Sequence, residues 1–133
     1  MTAAGRELVL HLVAGPLSIV RLPAGDPMPS WIEGASWFSV TRTQDELSVV
    51  CDSRLVPPGT RQNRPWQALR VEGPLDFELT GILCRIAGPL ADAGISIFAV
   101  STYDTDYVLV RQDDLREAVA RLRKEGMIVN TAD

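Results

Sequence analysis

Two aspartates, Asp104 and Asp106, sit one residue apart between Tyr103 and Tyr107 in the stretch STYDTDYVLV. Carboxylates at this spacing can serve general acid/base chemistry, a metal, or an ammonium group. They can equally be turn-forming aspartates whose side chains satisfy local backbone donors. Catalysis lacks the other groups it needs. The single histidine, His11, is embedded in the apolar run Leu8 to Val13, where a histidine reads as a core residue with its polar tip satisfied. No Ser/His/Asp or Cys/His arrangement can be built around it. Two aspartates without neighbouring His or Cys supply too few metal ligands, and EF-hand spacing is absent. The two cysteines, Cys51 and Cys84, lie in separate apolar segments and read as buried free thiols. The expectation is a protein that is not an enzyme and has no metal or cofactor.

A second polar feature is the loop Gly73-Pro74 to Gly81, which feeds a helix. The N–H groups at Gly81, Ile82 and Leu83, together with the positive end of the helix dipole, form a ready carboxylate site. Ordinary capping by Thr80 is the competing reading. Trp31, Trp37 and Trp66 are assigned packing roles.

These groups need elements to hold them. Residues 94 to 110 read as a β-hairpin: Gly94 stops a helix, a β-branched and aromatic run follows, the chain turns at Ser101 to Thr105, and an apolar strand resumes. Ile95, Ile97 and Ala99 alternate with Phe98 and Val100, so both faces of the first strand are apolar and call for cover on both sides. A helix is expected from about Gly81 to Ala93, with Leu79, Leu83, Ile86, Leu90 and Ala93 at helical spacing and Pro89 interrupting it. Another is expected from about Asp114 to Glu125, with Asp114 and Glu117 as a capping box. Strands are expected at 67–72 and 127–130. In the first half, 7–14 and 17–22 read as a hairpin turning at Gly15-Pro16, and 36–42 with 46–51 as a second hairpin. Between them, Pro29 to Glu33 allows one helical turn with Trp31 inward, and Ser53 to Pro65 reads as a loop.

The chain of 133 residues is long enough to bury a core. Its formal charge of −4 and the lack of any Lys/Arg run leave a nucleic-acid partner without an electrostatic basis. The longest nearly apolar run, Leu8 to Val20, is too short to span a bilayer, so no membrane role is expected. The opening MTAAGREL lacks an export signal, which makes the cytoplasm the expected location.

The two halves echo each other. Phe38 to Thr41 aligns with Phe98 to Ser101, and Leu47 to Val50 with Tyr107 to Val110, at an offset of 60 residues. The β-α-β-β-α-β order, the Gly81-Ile82-Leu83 helix entry, the stretch Pro89 to Ser96 and the STYDTDYVLV hairpin resemble the ACT-domain superfamily. More narrowly, they are similar to its small tandem-ACT proteins related to cytosolic arginine sensors. Residues 17–22, 37–43 and 45–51 match the degenerate first copy of those proteins. The resemblance implies an α+β fold of two ferredoxin-like (βαββαβ) ACT units, a degenerate helix-poor copy at residues 1–63 and a full one at 64–133. It also implies regulatory amino-acid binding at an interface between ACT units, with no chemistry of its own and an unnamed regulated enzyme.

On that implication the ligand carboxylate goes to Gly81, Ile82 and Leu83, and its ammonium to the hairpin. Asp106 is preferred over Asp104 because it begins a strand and is held more rigidly. Ser101 and Thr102 add contacts, and Tyr103 walls the ligand side chain. The two-faced strand further predicts a homodimer. The alternative is a structural interaction protein that binds a partner enzyme through its apolar sheet face, without a small ligand.

Overall fold

A computed structural model describes residues 7–76 and 80–131. Their strands and helices follow the apolar patterning closely: β1 (Val9–Leu22), β2 (Ser39–Arg42), β3 (Leu47–Asp52), β4 (Gln62–Val71), α1 (Ile82–Asp92), β5 (Ile97–Ser101), β6 (Asp106–Arg111), α2 (Leu115–Lys124) and β7 (Ile128–Asn130). The fold is α+β and rich in strand. Of the helical stripe expected before α1, Leu79 lies outside the described residues.

The chain forms two compact units, one of residues 14–66 and the other of residues 7–13 with 67–131. Both β1 and β4 change unit along their length. The larger unit has the strand order β5-β6-β4-β1-β7, with α1 and α2 packed on its core. Residues 9–11 of β1 pair in parallel with β7, and the Glu72 N–H donates to the Val9 carbonyl at 2.7 Å. The segment before Val13 is thus a strand between β4 and β7. Leu8, Leu10, Leu69, Val71, Ile86, Leu90, Val108, Val110 and Leu122 fill the core. Both helices present their buried residues at helical spacing: Ile82, Ile86 and Leu90 on α1; Ala118, Val119 and Leu122 on α2.

Each helix ends the same way. The Ile95 N–H reaches back to the Leu90 carbonyl and that of Met127 to Leu122, around Gly94 and Gly126 at φ 73° and 91°. This left-handed turn satisfies carbonyls that the helix end would orphan.

The smaller unit has a core of Val20, Ile32, Leu47, Val49 and Cys51, with Trp31 packed against it. There β3 pairs with both β1 (Leu17↔Asp52 to Leu22↔Leu47) and β2. The anticipated helix is reduced to one 3-10 turn, Ser30–Ile32.

Four expectations are corrected, besides the loop expected over Ser53 to Pro65, of which residues 62–65 belong to β4. The opening hairpin is absent: Val9–Leu22 is one strand running through Gly15-Pro16. A turn would need its two arms to pair with each other, but here one arm pairs with β7 and the other with β3. Asp114 does not cap α2. It has helical dihedrals (φ −95°, ψ −4°) at the end of a 3-10 turn, Gln112–Asp114, which withholds the extended geometry an N-cap side chain needs. Glu117 pairs instead with Arg121 at 2.8 Å. Cys51 is buried but Cys84 is exposed, because it lies two residues past Ile82 on the opposite face of α1. The repeat offset is the fourth. Arg42 faces Leu47 and Ser101 faces Asp106, so the hairpins correspond at an offset of 59 rather than 60.

His11, expected in the core, lies outside it, although its ring nitrogens are partnered as expected. His11 is half-buried, with Nε2 at 2.9 Å from Glu72 Oε1 and Nδ1 at 3.3 Å from Asn130 Nδ2. Buried Trp66 donates from Nε1 to Asn63 Oδ1 at 3.0 Å.

Candidate functional site

The order of the larger unit leaves β5 at the sheet edge and carries the β5-β6 tip to the entry of α1. The register from Ile97↔Val110 to Ser101↔Asp106 closes the hairpin over residues 102–105. Inside this turn the Thr102 N–H donates to the Thr105 carbonyl at 2.8 Å, and Thr102 Oγ1 accepts the Thr105 N–H at 3.3 Å. The other hairpin shares this arrangement and adds one bond: the Thr43 N–H donates to the Glu46 carbonyl, and Thr43 Oγ1 accepts from the Glu46 N–H and also from that of Asp45. A threonine therefore does the local work that one of the alternative readings gave to an aspartate. Neither Asp104 nor Asp106 accepts a turn N–H among the described residues. Asp106 instead accepts a hydrogen bond from Ser101 Oγ at 2.6 Å, which fixes its carboxylate at the start of β6.

The entry of α1 is equally defined. Gly81 occupies the N-cap at φ 82° and has no side chain to cap with. A left-handed N-cap suits glycine, and the first-turn N–H groups that follow have no partners within the helix.

These two features line a common cavity of about 290 Å³, near the lower end of the usual range for small-ligand pockets. Gly81, Ile82 and Leu83 form one wall, and Ser101, Thr102, Tyr103, Asp104 and Asp106 another. All eight residues singled out from the sequence thus lie around one space within one unit. Tyr103 is 81% exposed at the rim. Reading the sequence missed Leu75, Asp76 and Thr105, which also line the cavity. The first two sit in the Gly73 to Gly81 loop, where no periodicity marks inward-facing positions. Thr105 looked like an ordinary turn residue. Among the described residues the lining carries the carboxylates of Asp76, Asp104 and Asp106 and no cationic side chain. Among the described residues no group of His, Cys, Asp and Glu is arranged to hold a metal ion, and no helix is long and apolar enough to cross a membrane.

A family model described as an ACT domain matches residues 62–124, and a model of an N-terminal domain matches residues 15–58. The human cytosolic arginine sensor for mTORC1 subunit 1 is 42% identical over 119 residues, an alignment spanning 78% of this chain and 34% of that protein. The chain therefore spans about a third of that relative's length. The crystal structure of protein Atu0741 from Agrobacterium tumefaciens is similar throughout, with 36% identity, a TM-score of 0.90, and coverage of 97% of this chain and 96% of that one. Aspartate kinase of Clostridium acetobutylicum, an allosteric enzyme, matches 81% of this chain and 32% of its own at a TM-score of 0.58. At 15% identity, that likeness is one of fold alone.

Proposed function

The chain belongs to the ACT-domain family, and from that premise we propose that it is a non-catalytic regulatory protein that binds a free amino acid. The observation that carries this reading is the cavity, where the N-terminus of α1 and the carboxylate of Asp106 line the same space. An α-amino acid carries one group for each: a carboxylate for the backbone N–H groups, and an ammonium for Asp106. The ammonium gains a fixed acceptor because Ser101 orients that carboxylate. Among the described residues of the lining, Asp104 and Asp106 bring two carboxylates and no side chain brings a cation, so a ligand with a cationic side chain is favoured. Arginine, which names the human relative's role, is the first candidate. That relative also supports a sensor role in the cytosol.

On this reading the chain carries two ACT copies, a degenerate one at residues 1–63 and a binding-competent one at 64–133. The matched threonine turns support a common origin. A symmetric homodimer completes the proposal, with the edge position of β5 as its support. Calorimetric titration with each common amino acid, arginine and lysine first, tests it. Saturable binding of at least one is expected, and heats indistinguishable from dilution for all of them would refute it in favour of a purely structural interaction protein.

A further inference from the structure

Thr105 and Ser18 are the buried polar residues of the described chain, and Thr105 is 6% exposed at the hairpin tip. Its Oγ1 donates to the Val71 carbonyl at 2.5 Å, where β4 ends at the core. One residue earlier, the Asp104 carbonyl accepts from the Leu75 N–H at 2.6 Å. Two hydrogen bonds therefore strap the tip to residues 71–75. Between them lies Gly73, where a Cβ would come to 3.0 Å from the Asp104 carbonyl oxygen and 3.1 Å from Thr105 Cβ. At that spacing a side chain would require the tip to give by a few tenths of an ångström. The corresponding tip of the other hairpin is held differently. There the Asp45 carbonyl accepts from the Arg21 guanidinium at 3.1 Å, an exposed side-chain contact in place of a backbone one.

We propose that Thr105 is a positioning residue for the cavity: its hydroxyl, through the end of β4 and the close approach at Gly73, sets where the tip presents Asp104 and Asp106. The inference rests on reading the cavity as an amino-acid site. A carboxylate a fraction of an ångström out of place loses much of a charge-assisted hydrogen bond, so the strap governs affinity without touching the ligand's charged groups.

The test pairs Thr105→Val, which keeps shape and removes the hydroxyl, with Thr105→Ser, which restores it. Arginine affinity is measured by calorimetry and amide exchange by NMR. In Thr105→Val the Leu75 amide should exchange at least tenfold faster and arginine should bind at least tenfold more weakly, while the core amides of Leu109 and Val110 keep their protection. Thr105→Ser should return both toward the parent. Parental exchange at Leu75 in Thr105→Val, or parental affinity with a loosened Leu75, overturns the proposal. Equal losses in the Ser and Val variants do the same. If Thr105→Val fails to fold, Gly73→Ala presses on the same strap from the other side, and unchanged exchange and affinity there count against it. If the parent itself binds no amino acid, the functional reading fails, and Leu75 exchange still decides whether Thr105 holds the tip.

Discussion

At the scale of residues, the acceptor is the sharpest point. Asp106 is oriented by Ser101, whereas the Asp104 side chain projects from the exposed turn with no such partner among the described residues. Losing one partner of a buried charge-assisted pair typically costs about 2 to 5 kcal/mol. Asp106→Asn should therefore weaken amino-acid binding at least tenfold at unchanged urea midpoint, and Asp104→Asn should weaken it less. Parental affinity in both variants would reject the site. The cysteines give a second check. Cys84 is exposed and should react with a thiol reagent in the native state, whereas Cys51, fully buried, should react only on unfolding. Burial, with the neighbouring Asp52 carboxylate, pushes the Cys51 thiol up to about 11 from an ordinary 9.0. The unfolded chain releases that proton first, so this contribution to stability is intact below pH 9 and falls as pH rises toward 11. The parent should lose about 2 kcal/mol more than Cys51→Ala over that window, read from urea midpoints.

Elements decide how these residues meet. The β5-β6 hairpin was legible because β-branched and aromatic residues bracket a polar tip, and the observed strands start and stop at Ser101 and Asp106 as that pattern requires. The repeat was legible only to within one residue. Matching apolar letters gave an offset of 60, whereas the Thr43 and Thr102 turns anchor the true register at 59, pairing Asp45 with Asp104. A shift of one exchanges the two faces of a strand, so the turn, not the apolar composition, identifies equivalent positions. At the entry of α1, Gly81 sits at φ 82°, a region costing roughly 1–2 kcal/mol for a residue with a Cβ. Gly81→Ala should lower stability by about that amount in urea unfolding and should weaken binding as the first turn shifts. A variant as stable as the parent would show that the left-handed entry is not required.

For the molecule as a whole, the prediction is linkage. A ligand at about a hundred times its dissociation constant adds about 2.7 kcal/mol, so the correct amino acid should raise Tm by several degrees while the others leave it unchanged. The edge position of β5, with Ile97, Phe98 and Val100 only half-buried, leaves backbone donors and apolar area for a second copy. Sedimentation at tens of micromolar, an ordinary working range, should find a dimer, and a monomer would count against the homodimer. The double cover expected for β5 is not met inside its own unit, where Ala99 is exposed.

Local information carried the types of most elements and the glycine helix ends, and it singled out eight residues that line one cavity, because periodicity, glycine stops and turn residues act over a few positions. It could not show that β1 continues through Gly15-Pro16. That depends on β7, more than a hundred residues away in sequence, offering an edge to Val9, Leu10 and His11. Nor could it show that Thr105 is buried against Val71, or that the hairpin tip approaches the backbone of Gly73 closely enough for a Cβ there to press on it. Those facts arise from contacts between segments distant in the chain. Only the packed structure decides which polar group satisfies which buried carbonyl.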